Sequence, residues 1–154
     1  MHARLARRTG AAVVMVLLVI GMFVSSFAGV AKAQVTRRER FLQLTNEVRI
    51  EHDRQRLAMV RRLSHYAHHH SQEMADRGYL FHSDGSVLQQ MLAPYHWSIG
   101  GENVGVGGNV DTLQAAFMAS KEHRDNILRS SFDHVAIGCV RQDGSLWVTV
   151  IFYG

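Results

Sequence analysis

From Thr36 onward, apolar residues recur at helical spacing: Phe41, Leu44 and Val48 stand among charged positions and predict a first helix to about Glu51. Residues 52–56 are polar enough to fit either a loop or a continuation of that helix. A second stripe, Leu63, Ala67, His70 and Met74, predicts a helix that Gly78 ends, because glycine takes left-handed backbone without steric cost. His70 then faces the core, and His68 and His69 face solvent. Neighbours on a helix project about 100° apart, so the histidine triplet cannot share one ion.

Further along, Tyr79-Leu80-Phe81-His82 runs into the turn Ser83-Asp84-Gly85-Ser86, whose serine is expected to cap a short helix through Leu88, Met91 and Leu92. The only proline, Pro94, ends it. Residues 97–108 are glycine-rich and read as a short strand through Glu102-Asn103-Val104. Asp111 opens a helix with Leu113, Ala116, Phe117 and Ser120 on one face, ending near Lys121, and a turn with a short helix follows, held by Ile127 and Leu128. Residues 134–140 and 145–153 form a hairpin about Gln142-Asp143-Gly144. In the last strand Leu146, Val148, Val150 and Phe152 face one way and Trp147, Thr149, Ile151 and Tyr153 the other. Both faces are largely apolar, which predicts a central strand covered on both sides. The fold class is α+β, a three-layer α-β-α sandwich with a small, mainly antiparallel sheet.

Composition changes the picture at the N-terminus. Arg4, Arg7 and Arg8 precede an apolar stretch, residues 11–24, and Ala31-Lys32-Ala33 is a small-x-small cleavage pattern. Residues 1–33 therefore read as a secretory signal peptide, with 34–40 a linker and 41–154 the domain. Kept uncut, the same stretch approaches the length of a membrane anchor, and that is the one membrane contact expected. The leader holds four basic residues and no acid, so beyond it thirteen basic residues balance thirteen acidic ones. The sequence pI of 9.7 thus reflects the leader and gives no argument for nucleic acid. The clusters Arg37, Arg38, Arg40 and Arg54, Arg56, Arg61, Arg62 are interspersed with acids and read as solvated helix faces. A single cysteine, Cys139, excludes an internal disulfide, and its apolar surroundings mark it as a small hydrophobe, not a nucleophile.

Candidate chemistry gathers around Gly100-Gly101-Glu102-Asn103-Val104-Gly105 and Ser120-Lys121-Glu122-His123. With His82 upstream, these supply two imidazoles and a carboxylate. Such a set suits Zn²⁺ or another divalent cation, with His82 and His123 as ligands. If Glu102 instead hydrogen-bonds a histidine, the set is a scaffold that ties loops together; taken alone, His82 also reads as an exposed loop residue. No HExxH or CxxC spacing is present, and no serine or cysteine nucleophile has a matched base.

Several spaced motifs now agree in order: Leu44-Thr45-Asn46-Glu47-Val48-Arg49, His70-Ser71 with Met74-Ala75, Gly78 to His82-Ser83, Gly101-Glu102-Asn103-Val104, His123 to Leu128, and the closing Trp147-Val148-Thr149 neighbourhood. This sequence resembles the CAP superfamily of cysteine-rich secretory, antigen 5 and pathogenesis-related 1 proteins, in its short bacterial secreted branch. The resemblance implies an α-β-α sandwich with a cleft lined by His82, His123, Glu102 and a second acid. That second position falls near Ser120, with Glu122 the nearest carboxylate. Phe117 stands where the family's usual tryptophan does, and the disulfides of eukaryotic members are absent. The expectation is a secreted, monomeric protein whose cleft takes a divalent metal or a small extracellular ligand, a lipid or a cell-envelope component. The alternative is a metal-assisted hydrolase or peptidase with Glu102 as base and His82 and His123 beside it.

Overall fold

A computed structural model describes residues 35–154; the leader expected at residues 1–33, and its cleavage, lie outside them. The described residues form one compact unit. In chain order the elements are α1 (Arg37–Glu51), β1 (Ala58–Met59), α2 (Arg61–Arg77), α3 (Gly85–Leu92), a 3₁₀ turn (Ala93–Tyr95), β2 (Gly100–Gly107), α4 (Val110–Ala119), α5 (Lys121–Leu128), β3 (His134–Gln142) and β4 (Ser145–Tyr153). No helix among the described residues is long and apolar enough to cross a membrane. Helix α1 begins at Arg37, so its first turn, 37–40, lies within the stretch read as linker; Thr36 and Glu39 close it with a reciprocal capping box.

The sheet order is β1-β3-β4-β2, antiparallel except where β1 pairs with β3. Strand β4 is central, as its two apolar faces require. Leu146, Val148, Val150 and Phe152 pack with α1, α4 and α5 residues such as Phe41, Leu113, Phe117 and Ile127. Ile151 and Tyr153 pack on the other side with Leu63 and Ala67 of α2 and Leu92 of α3. These are the three layers. The hairpin turn uses Asp143 and Gly144, both with positive φ, the geometry whose twist matches the strands it joins. Gly138 lets α2 press onto β3: a Cβ there would sit 2.1 Å from the backbone of Ala67.

Several expectations are corrected. In α1 the buried residues are Phe41, Thr45, Asn46 and Arg49, not the Leu44 and Val48 stripe, which is only half-buried. The polar members are accepted inside because each is satisfied. Asn46 exchanges two hydrogen bonds with the Leu57 backbone. Arg49, fully buried, donates to the carbonyls of Gln55, Ile127, Arg129 and Phe132 at 2.7–3.0 Å. Helix α3 is capped by Asp84, which accepts from the Ser86 and Val87 amides, not by Ser86; a carboxylate just before the first helical residue reaches both donors. Helix α4 is likewise capped by Asn109 instead of opening at Asp111, and its buried face includes Gln114 where Ala116 was expected.

Candidate functional site

Gly78 ends α2 in the left-handed conformation (φ 72°), as its position predicts, and releases the chain into the segment that carries His82 and Ser83. Glu102, on β2, points toward this segment. Its Oε1 accepts from His82 Nδ1 at 2.8 Å and from the Ser83 amide at 2.9 Å, and its Oε2 accepts from Ser83 Oγ at 2.6 Å. The Glu102 side chain is only 5% exposed, whereas that of His82 is 62% exposed. With Nδ1 facing the carboxylate, Nε2 is the ring nitrogen that Glu102 does not engage. Glu102 is therefore a fastener between β2 and the loop, the scaffold role open in the sequence.

His123 arrives from the opposite helical layer, in the first turn of α5. Asn103, fully buried on β2, donates to the His123 carbonyl at 3.0 Å and accepts from Asn126 Nδ2 at 2.8 Å. Asn126 also donates to the Glu102 carbonyl, so two amides bind α5 to the strand that holds the carboxylate. Sequence reasoning quoted Asn103 and Asn126 only as parts of motifs. Their signal was the residue next to Glu102 and the residue three after His123. The His123 ring packs on Phe117 with centroids 4.7 Å apart. Burial pushes its imidazole below the ordinary value of 6.5, and the neighbouring His82 pushes the same way, against Glu122. Glu102 is thus in contact with His82, while His123 is tied to the same strand through the bond from Asn103 to its carbonyl.

The remaining candidates are local to α5. Glu122 is exposed and accepts from Ser120 Oγ at 3.1 Å; it bonds neither His82 nor Ser83. Its own amide, then the Ser120 hydroxyl, hold its carboxyl below the usual range. Among the described residues no group of three or more His, Cys, Asp or Glu side chains stands so as to hold a metal ion. With Glu102 committed to His82 and Ser83, the donor set does not fit a three-ligand cage.

Beside His82 lies a hollow of about 580 Å³ whose walls include Tyr66, His70, Phe81, Ser83 and Val87. His70 is 3% exposed; its Nδ1 lies 3.1 Å from Thr149 Oγ1, and its Nε2 has no partner. Phe81 stands edge-on to its ring at 5.0 Å. Burial pushes the His70 imidazole down, with Glu102 and Glu73 opposing. The inward face of His70 agrees with the sequence reading; its place behind this hollow was not foreseen.

The sequence profile of the cysteine-rich secretory protein (CAP) family matches residues 42–152. YkwD of Bacillus subtilis, described as an uncharacterized protein, is 32% identical over 114 residues, covering 71% of this chain and 44% of the relative. An extracellular SCP-domain protein from Bacillus anthracis superposes with a TM-score of 0.63 at 25% identity, over 76% of this chain and 40% of that one. A cysteine-rich secretory protein from Staphylococcus aureus gives 0.62 at 26% identity, over 76% and 38%. The chain thus spans less than half the length of each of these three relatives.

Proposed function

This chain belongs to the cysteine-rich secretory protein (CAP) family, and on that premise we propose that it is an extracellular binding domain whose cleft takes a small ligand beside His82. The observation that carries the reading is the state of Glu102. Both its oxygens are engaged by His82 and Ser83, and it is almost wholly buried. A hydrolase that used Glu102 as base would need it free to reach a water or a substrate proton. Held as it is, Glu102 instead fixes the rim of a hollow, and a rigid rim suits binding.

Tyr66, Phe81 and Val87 give that hollow apolar walls, and His82, Ser83 and the carboxylates Glu73 and Asp84 give it polar ones. This pattern favours a molecule with an apolar body and a polar head, of lipid or cell-envelope origin. Extracellular placement is supported by the leader-like pattern of residues 1–33 and by the description of the Bacillus anthracis relative. The divalent cation expected from the sequence, as a second occupant, would have only the His82 and His123 imidazoles as protein ligands, a weaker seat than a three-ligand site.

The test is calorimetric titration of residues 34–154 with a medium-chain fatty acid. Val87→Trp fills the hollow without touching Glu102 and should abolish binding while the melting temperature is kept. Unchanged binding would remove the hollow as the ligand seat. Zn²⁺ titration of His82→Ala and His123→Ala examines the second occupant, and uptake that survives both substitutions excludes the imidazole pair. Turnover of peptide or ester substrates that disappears in Glu102→Gln would replace the binding reading with a hydrolytic one.

A further inference from the structure

Two basic clusters that the sequence keeps apart meet in the fold. The first turn of α1 brings Arg37 and Arg38, and the first residue of α2 brings Arg61, to one hollow of about 350 Å³, with Glu39, His68 and Cys139 among its other walls. It lies among the helix starts on the β1 side of the sheet, lined by none of the residues that surround His82. We infer that this hollow is an oxyanion site, built to take a phosphate group, whether free or carried by a phospholipid headgroup.

The argument begins with what the three guanidiniums lack. Among the described residues no ion pair involves Arg37, Arg38 or Arg61, while Arg40 beside them is paired with Asp111 at 2.6 Å. Glu39 is the one carboxylate in the walls, and its Oε2 is already engaged by the amide and hydroxyl of Thr36. Arg61 and Arg38 nevertheless help hold the Glu39 carboxyl below its usual value, and Arg38 and Arg37 both act on the Cys139 thiol, so the three cations overlook common ground. Burial pushes that thiol up to about 11, so Cys139 stays neutral and supplies no counter-charge.

Three guanidiniums against the single Glu39 carboxylate leave an excess of positive charge that an added anion offsets. Beyond the leader the chain's charges balance, so the attraction is a property of this hollow and not of the whole surface. Guanidinium forks suit phosphate oxygens, since two parallel N–H donors match two oxygens of one group. Helix α2 adds to this: Val60 caps it with no side-chain hydrogen bond, so the positive end of the helix faces the same region without a local acceptor.

Inorganic phosphate titrated into residues 34–154 at low salt should bind saturably. Arg37→Gln, Arg38→Gln and Arg61→Gln should each weaken it about tenfold, the loss expected for one charge-assisted hydrogen bond. Arg62→Gln, on the same helix but outside the walls, should change it less than about twofold, and added NaCl should weaken it. Sedimentation with vesicles containing phosphatidylglycerol, against phosphatidylcholine alone, separates the sources. Retention on the anionic vesicles that phosphate competes away identifies the headgroup, and phosphate binding without retention identifies the free anion. Absence of both, or an Arg62→Gln loss equal to that of Arg61→Gln, would overturn the site.

Discussion

At the scale of single residues, the informative side chains are polar ones taken out of water. His70 and His123 are both pushed down from 6.5, first by burial. Unfolded, each takes up a proton near that value; folded, each resists protonation to lower pH. The unfolded chain therefore binds more protons in the interval, so stability is intact above about pH 6.5 and declines as pH falls through it. The melting temperature should drop between about pH 7.5 and about pH 5.5, and His70→Gln should shrink the drop. A profile that is flat, or identical in the variant, contradicts this account. That His70 faces inward was legible, because period alone sets the direction of a side chain. That Glu102 is saturated was not, because a hydrogen-bond count depends on which loop lies opposite. Asn46 and Arg49 were missed for a related reason: a pattern that sorts residues by polarity assigns the interior only to apolar ones.

Elements were legible in proportion to how fully their inward faces are apolar. Helix α2 has a clean stripe and a left-handed glycine at its end, and the β3–β4 hairpin has its turn chemistry; each was found with its partners or its stop. Strand β1 has two residues and no pattern to read, and exists because β3 offers it an edge. The layer spacing between α2 and β3 depends on Gly138, where a methyl group would overlap the Ala67 carbonyl. Gly138→Ala should therefore cost about 2 kcal/mol or more, since backbone must move to admit the added carbon. Urea unfolding provides the measure, and a loss within about 0.5 kcal/mol would mean that the layers separate easily.

For the whole molecule, one strand serves both cores. Because β4 is a wall of each layer, neither can melt and leave the other intact, and unfolding should be all-or-none. Tryptophan fluorescence, which reports the α2 and α3 side through Trp97, and far-UV circular dichroism should give coincident urea transitions; separate midpoints would show that the layers unfold independently. The sandwich could be read from residues alone. The contact between positions 82 and 102 followed a grouping of candidate residue types made from the sequence, since a separation of twenty residues says nothing of a shared place. Arg49 carries a consequence of its own. It draws four carbonyls from two stretches of backbone, one at Gln55 and one from Ile127 to Phe132, around one cation, in a chain with a single cysteine. The domain is thus held together without an internal disulfide, so thiol reductants should leave its melting temperature unchanged.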